Sequence, residues 1–114
     1  MKKINIVKKS LEFNEIMHNG KKYKNDYFIV YTKGNDLNRY RFGITVGKKI
    51  SNAVNRNKLK RQVRNILDYH KNLYSKSQDY IIILRKSSLN EKYSILEENL
   101  IKILEKMEKN YENK

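Results

Sequence analysis

The feature that most constrains this chain is an amphipathic basic stretch over residues 48–64, which holds seven Lys or Arg residues and no acidic one. From Asn52 the spacing predicts a helix that runs to about Asn72, with Ser51 or Asn52 able to cap its first turn. One side of this helix has the spacing of a buried stripe, at Leu59, Val63, Ile66 and Leu67. The fold must therefore provide an apolar surface that covers this stripe.

A second stripe runs along the same helix and is cationic; we call it the cationic stripe, and it consists of Ala53, Asn57, Lys60, Arg61 and Arg64. Arg offers a planar fork that matches phosphate oxygens, and an Asn amide both donates and accepts hydrogen bonds. Like charges at i, i+3 and i, i+4 repel each other, and a face that serves only solubility usually mixes the two signs. Here only Asp68 interrupts the positive charge, so the stripe predicts an anionic partner.

The composition agrees with such a partner. Lys and Arg number 26 against 12 acidic residues, a net charge of +14, which favours nucleic acid or an anionic membrane. A length of 114 residues suits one domain, residues 1–114, with one modest core. The sequence has no Cys, no long apolar run and no apolar signal core, so we expect a cytoplasmic protein that does not span a membrane.

The first third of the chain predicts an arm, a helix and an extended segment. Residues 1–9 are rich in Lys and are expected to form a flexible basic arm, with the folded part spanning residues 10–110. Ser10 is suited to cap a helix that ends near Asn19 and is closed by Gly20. The apolar residues of that helix share one face, at Phe13, Ile16 and Met17. In the extended segment, Tyr27, Ile29 and Tyr31 are expected to point one way, and Phe28, Val30 and Thr32 the other.

The rest of the chain alternates strands and helices. A turn is predicted at residues 33–36, followed by a strand at residues 40–46 whose core-facing side chains are Tyr40, Phe42, Ile44 and Val46. The apolar run at residues 80–84 is typical of a buried central strand. Ser88 or Asn90 is suited to cap a last helix whose apolar stripe is Leu96, Leu100, Ile103, Leu104 and Met107. Residues 111–114 are expected to fray, and the whole predicts an α+β class.

The sequence offers little catalytic chemistry. Cleavage of RNA by the protein alone would need an acid–base pair or a metal cluster. The only histidines are His18 and His70, no Asp-x-Asp or His-x-x-x-His spacing occurs, and there is no Gly-rich phosphate loop. These observations favour a binding protein without an active site of its own over an enzyme in its own right.

Residues 48–64 also resemble the Arg-Asn-Arg motif region of the bacterial ribonuclease P protein subunit, whose pattern is approximately K-K-x-G-N-A-V-x-R-N-x-x-K-R-x-x-R. The matching residues are Lys48, Lys49, Asn52, Ala53, Val54, Arg56, Asn57, Lys60, Arg61 and Arg64. Ser51 stands where the family commonly has Gly, and Lys58 where it often has Arg. Neither departure removes charge.

The resemblance extends over residues 8–85. Further matching segments are Phe28-Ile29-Val30-Tyr31, Phe42-Gly43-Ile44-Thr45-Val46 and Asp79-Tyr80-Ile81-Ile82-Ile83. It implies a single two-layer αβββαβα domain with a small mixed sheet, in which residues 21–33 hold two short strands. It also implies a left-handed βαβ crossover, as in domain IV of elongation factor G, although parallel crossovers are normally right-handed.

The function that the resemblance implies is that of a protein cofactor to a catalytic RNA. The RNA subunit hydrolyses precursor tRNA with Mg²⁺ that is held mainly by RNA, and the protein helps remove the 5′ leader to give the mature tRNA end. We expect no metal bound by the protein alone, no membrane contact and no required protein partner. The residues implied to bind the RNA subunit are Lys48, Lys49, Asn52, Arg56, Asn57, Lys60, Arg61 and Arg64.

The resemblance also implies a cleft for the single-stranded leader, between the first helix and the open face of the sheet. Phe13 and Tyr31 match aromatic positions of that cleft, and Met17 stands where the family has a further aromatic residue, which stacks better on a base. The same three side chains could instead fill the core. The alternative function is a general basic RNA- or ribosome-binding domain without a catalytic partner.

Overall fold

The computed structural model describes residues 3–47, 49–74 and 77–112. Its helices are α1 (Ser10–Asn19), α2 (Ala53–Tyr69) and α3 (Tyr93–Glu112), and its strands are β1 (Lys21–Lys24), β2 (Phe28–Gly34), β3 (Arg41–Val46) and β4 (Gln78–Leu84). Short 3₁₀ turns lie at Lys3–Asn5, Lys71–Leu73 and Lys86–Ser88. In this part of the chain, no helix is long and apolar enough to cross a bilayer.

The four strands form one mixed sheet in the order β1-β2-β4-β3. β1 pairs antiparallel with β2 and β2 with β4, whereas β3 and β4 are parallel and are connected through α2. The predicted α+β class, the αβββαβα order and the mixed sheet are confirmed, as is the central position of β4. The left hand of the crossover stays a prediction from the family resemblance.

Alternation along β4 divides the molecule into two cores. Tyr80, Ile82 and Leu84 belong to the large core beneath α2 and α3, whereas Ile81 lies in a small core beneath α1. Successive side chains of a strand point to opposite faces, so α1 lies on the face opposite α2 and α3. α1 therefore adds a partial third layer to the two layers that were predicted.

The large core buries the predicted stripes of both long helices. In α2 these are Leu59, Val63, Ile66 and Leu67, and in α3 they are Leu96, Leu100, Ile103, Leu104 and Met107. Burying a side chain of this size contributes about 1.5–3 kcal/mol. Four aromatic rings pack edge to face or stacked at one end of this core, from Tyr40, Phe42, Tyr74 and Tyr80.

The small core includes part of the segment that was predicted to be a flexible arm, residues 1–9. Lys3–Asn5 form a 3₁₀ turn, Ile6 makes a bridge to Phe42, and Val7 is buried with its N–H donating to the Phe42 carbonyl. The Asn5 amide donates to the Tyr40 carbonyl at 2.6 Å. These contacts place Ile6 and Val7 beside the edge strand β3, and the flexibility of the arm stays a prediction. Residues 1 and 2 lie outside the described part.

Several predicted element ends are shifted. Ser10 is the first residue of α1 instead of its cap, and the cap position falls at Lys9 without a side-chain hydrogen bond. α3 begins at Tyr93, beyond Ser88 and Asn90, and Ser88 is buried, donating to the Arg85 carbonyl. α2 ends at Tyr69, and Asn72, where its end was predicted, lies in the 3₁₀ turn Lys71–Leu73. At the chain end α3 extends to Glu112, and the fraying of residues 111–114 stays a prediction.

Two details near α1 and β2 also differ. Gly20 closes α1 as predicted, but with φ −85° it does not adopt the left-handed conformation; a Cβ there would lie 2.4 Å from the Ile16 carbonyl oxygen. Tyr27 precedes β2 and packs against the large core, so it does not share the side of Ile29 and Tyr31 as predicted. An Asn25 side chain that accepts from the N–H groups of Tyr27 and Phe28 bends the chain there.

Candidate nucleic-acid interface

The cationic stripe lies on α2 beside the buried stripe, and its side chains remain accessible. Ala53, Asn57, Arg61 and Arg64 are exposed, and Lys60 is half-buried. The helix is anchored from below because Val63, Ile66 and Leu67 are fully buried. A rigid helix thus presents a row of cations that a flexible loop would have to order at an entropic cost.

The turn before α2 sets where the stripe begins. The Asn52 side chain caps the helix by accepting from the Asn55 N–H at 2.9 Å, a contact worth about 1 kcal/mol. Arg56 is half-buried and donates to the Ser51 carbonyl at 3.2 Å, so part of this guanidinium braces the turn. Lys49 is exposed in the same turn. Lys48, also predicted to bind the RNA subunit, lies outside the described residues.

The second surface is an apolar trough on the α1 face of the sheet, formed by Phe13, Met17, Tyr31 and Ile83. All four side chains are half-buried and pack around the small core of Val7, Ile16 and Ile81. The structure therefore brings the three predicted leader-binding residues together. Because they are neither fully buried nor fully exposed, they combine a packing role with an accessible apolar surface.

Phe13 reaches the sheet because position 43 carries no side chain. A Cβ on Gly43 would lie 2.4 Å from Phe13 Cζ and 2.8 Å from Ile81 Cδ1, distances that real Cβ atoms do not show. Gly43 pairs directly with Ile81, and Ile81 with Tyr31, so these positions form one row across the sheet. The absence of a side chain at residue 43 thus fixes the height of Phe13 above the trough floor.

A row of charges holds α1 at one side of the trough. Arg41 donates from Nε and Nη2 to the two carboxylate oxygens of Asp79, at 2.9 and 2.7 Å, and from Nη1 to Glu12 at 2.7 Å. The hydrogen bonds to Asp79 raise the pKa of Arg41 above its ordinary value, although burial opposes this. Next to this row Lys33 pairs with Glu15 at 2.6 Å.

Several residues at the trough were not among the site residues predicted from the sequence, namely Lys22, Thr45 and Ile83. Thr45 pairs with Ile83 on one side and Ile29, which was predicted to share the side of Tyr31, on the other, while Lys22 pairs with Tyr31. The Lys22 ammonium lies 5.9 Å from the centre of the Tyr31 ring, within the range of a cation–π contact. The alternation of β4 could have placed Ile83 with Ile81, but the partners of each strand depend on a register that one sequence does not reveal.

Comparison with known proteins bears on what these two surfaces serve. The ribonuclease P family profile matches residues 1–108. The ribonuclease P protein component of Mycoplasma mycoides subsp. mycoides SC is 47% identical over 108 residues, which cover 94% of this chain and 99% of that protein. The chain belongs to the ribonuclease P protein family. The component from Streptococcus pneumoniae serotype 4 is 38% identical, over 91% of this chain and 85% of its own.

Solved structures of ribonuclease P proteins share the fold. A Staphylococcus aureus RNase P protein mutant, described as having defective mRNA degradation activity, aligns with a TM-score of 0.86 at 33% identity and covers 93% of this chain and 90% of its own. The RNase P protein from Thermotoga maritima aligns with a TM-score of 0.79 at 33% identity, covering 83% and 90%. The chain therefore acts as a ribonuclease P protein subunit, a component of an endoribonuclease complex, and the general RNA-binding alternative is not favoured.

Proposed function

We propose that this ribonuclease P protein subunit binds the RNA subunit through the cationic stripe and its preceding turn, and binds the single-stranded 5′ leader of precursor tRNA in the apolar trough. The observation that carries this proposal is that α2 is buried on one side and cationic and exposed on the other. Its fully buried side fixes the helix, while the exposed Arg61 and Arg64 project from it without an acidic neighbour between them. The assembled complex would then remove the leader to give the mature 5′ end.

The chemistry of the stripe suits a folded RNA. Arg and Lys that neutralise phosphates release condensed counterions, and this release supplies most of the sequence-independent affinity. Arg61 and Arg64 can each bind two phosphate oxygens, and the exposed Asn57 amide can contact a phosphate or a 2′-hydroxyl. Ala53 leaves room for the RNA backbone to approach the helix closely.

The trough suits unpaired nucleotides. Every base has a flat face, so Phe13 and Tyr31 can stack on a leader without reading its sequence, at about 1–3 kcal/mol per base. Met17 offers a softer apolar contact on the same wall. The exposed lysines of β1, Lys22 and Lys24, lie beside this row and can follow the leader phosphates.

The hydrolysis itself we assign to the RNA subunit, with Mg²⁺ held by RNA. Within the described ranges, no group of three or more His, Asp or Glu residues is arranged to hold a metal ion. The carboxylates beside the trough, Glu12 and Asp79, already bind Arg41. Within the described part of the chain these two carboxylates are therefore engaged by a guanidinium, which supports placing the Mg²⁺ on the RNA.

Reconstitution tests this assignment. The purified chain, freed of RNA, should leave precursor tRNA intact, and addition of a bacterial ribonuclease P RNA at low Mg²⁺ should produce cleavage at the mature 5′ end. Cleavage by the RNA-free chain would contradict the proposal. His70 Nε2 lies 3.2 Å from Glu97 Oε2, so these two side chains are the candidate acid–base pair. His70→Ala therefore serves as the control for any residual activity of the RNA-free chain.

A second experiment tests the stripe. Arg64→Ala should weaken assembly with the RNA subunit, or raise the Mg²⁺ concentration needed for cleavage, while leaving stability within about 0.5 kcal/mol because the residue is exposed. Lys102→Ala on α3 is the matched control, since it removes the same charge from another exposed helix face. A loss of equal size in both variants would show that only net charge matters and would restore the general RNA-binding alternative.

A further inference from the structure

The ion-pair cluster of Arg41, Asp79 and Glu12 is more elaborate than a short surface helix needs. The Arg41 side chain is 14% exposed and that of Asp79 is 6% exposed. The Asn35 amide donates to Asp79 Oδ1 at 2.8 Å, and the same oxygen accepts from Arg41 Nε. Arg41 and Asp79 are directly paired residues of the parallel strands β3 and β4. Their bidentate contact therefore forms a rigid base, and the remaining arm of the guanidinium reaches up to Glu12 on α1.

The other contacts of α1 are apolar and come from Phe13, Ile16 and Met17. Ile16 is the only buried residue of this ten-residue helix, and helices this short are marginal without tertiary contacts. Its two acidic residues, Glu12 and Glu15, both bind cations of the sheet. Glu15 and Lys33 form an exposed pair, of a kind that contributes about 0–1 kcal/mol, so the partly buried Glu12–Arg41 contact is the firmer of the two.

The direction of these contacts matters for the trough. At 100° per residue, Glu12 and Glu15 project from one side of α1, whereas Phe13 and Met17 project from the other. The charged side binds the row of Arg41 and Lys33, and the apolar side forms the wall that stands over Tyr31 and Ile83. A shift or roll of α1 about Ile16 would therefore change the width of the trough.

We propose that Glu12 and Arg41 are positioning residues for leader binding: their contact fixes the distance between the wall that Phe13 and Met17 form on α1 and the Tyr31 floor. This inference rests on the proposed leader trough and adds what sets its width. Neither residue needs to touch the RNA. Their effect should appear only in the part of the affinity that the leader contributes.

The test compares Glu12→Gln with Glu98→Gln in the reconstituted holoenzyme. Both variants raise the net charge by one, and Glu98 pairs with Lys102 on the exposed face of α3, away from the trough. For each variant, binding of precursor tRNA and of mature tRNA without a leader is measured. Glu12→Gln should lower the precursor-to-mature affinity ratio by roughly five- to tenfold, a loss of part of one stacked base, while Glu98→Gln should leave the ratio at the wild-type value.

Glu12→Asp provides a second variant that keeps the net charge and the ion pair but shortens the reach by one methylene group. It should lower the ratio while leaving the melting temperature near that of the wild type, which separates positioning from folding. Unchanged ratios in both Glu12 variants would overturn the positioning role alone. A wild-type holoenzyme that binds both tRNAs equally would overturn the leader trough, and this inference with it.

Discussion

The cationic stripe and the apolar trough differ in how much of the chain each one requires. The stripe is contained in one helix, and every residue of it lies within residues 53–64. The trough joins Phe13 on α1, Tyr31 on β2 and Ile83 on β4, which only the sheet register brings together. A surface built from one helix tolerates small changes elsewhere in the fold. A surface built from three distant elements is altered by such changes.

The salt dependence of binding should show the largest difference between the two surfaces, because the cationic stripe binds phosphates and the apolar trough stacks bases. Phosphate contacts give the logarithm of affinity a slope against the logarithm of salt concentration of about −0.7 per contact for single strands and −0.9 for duplexes. We therefore expect binding to the RNA subunit to fall with a slope of several units, and Arg61→Ala to reduce that slope by about one. Titrations of the holoenzyme at several salt concentrations measure this, and a nearly flat dependence would contradict a phosphate-led stripe.

The two sides of α2 should respond to substitution in opposite ways. Leu59 is 6% exposed beneath the helix, so Leu59→Ala should lower the free energy of unfolding by about 2–5 kcal/mol. Arg61→Ala should change it by no more than about 0.5 kcal/mol and weaken RNA binding instead. Chemical denaturation of both variants, with RNA binding measured below the transition, decides the assignment. Unfolding caused by Arg61→Ala would mean that a core residue had been taken for a surface one.

Gly43→Ala should damage the trough without removing any of its side chains. The added Cβ would collide with Phe13 and Ile81, and overpacking of this kind costs about 1–3 kcal/mol. We expect weaker binding of precursor tRNA and no change for mature tRNA. Gly34→Ala is the matched control, because its Cβ would meet only the Gln78 amide at an ordinary 3.7 Å. Similar behaviour of the two variants would show that Phe13 does not depend on the close approach at residue 43.

Tyr31→Ala should have the smallest and most selective effect. Loss of one stacking surface should weaken binding of precursor tRNA by about 1 kcal/mol or more, with mature tRNA unaffected. Tyr69→Ala removes a tyrosine that is 82% exposed on α2, outside the trough, and should leave both affinities unchanged. An equal loss for both tRNAs after Tyr31→Ala, or a loss that follows unfolding, would favour a purely structural role for this residue.

The local parts of the fold could be predicted from the sequence because their physics is local. The Asn52 cap, the buried stripe from Leu59 to Leu67 and the central apolar strand β4 each depend on spacing within a few residues, and the structure confirms them. The exposure of Arg61 and Arg64 follows from their angle to the buried stripe, although their contact with RNA stays a prediction.

The long-range parts could not be predicted because they depend on strand register and on contacts between distant elements. Ile6 and Val7 pair with Phe42 at the β3 edge, which a search for helix and strand periods in so short a segment cannot detect. The Arg41 cluster joins residues from α1, β3 and β4, and no spacing in the sequence connects them. The three predicted leader-binding residues, Phe13, Met17 and Tyr31, came from the family resemblance, and periodicity alone left them equally suited to the core.

One crossed measurement tests most directly whether the subunit uses two separate RNA surfaces. The double variant Arg61→Ala/Arg64→Ala and the single variant Tyr31→Ala are each assayed for affinity toward the RNA subunit and for the ratio of precursor to mature tRNA binding by the assembled holoenzyme. We predict that the α2 variant loses affinity for the RNA subunit and keeps the ratio, whereas the trough variant keeps the affinity and loses the ratio. If either variant changes both quantities to the same extent, the two surfaces do not have separate partners.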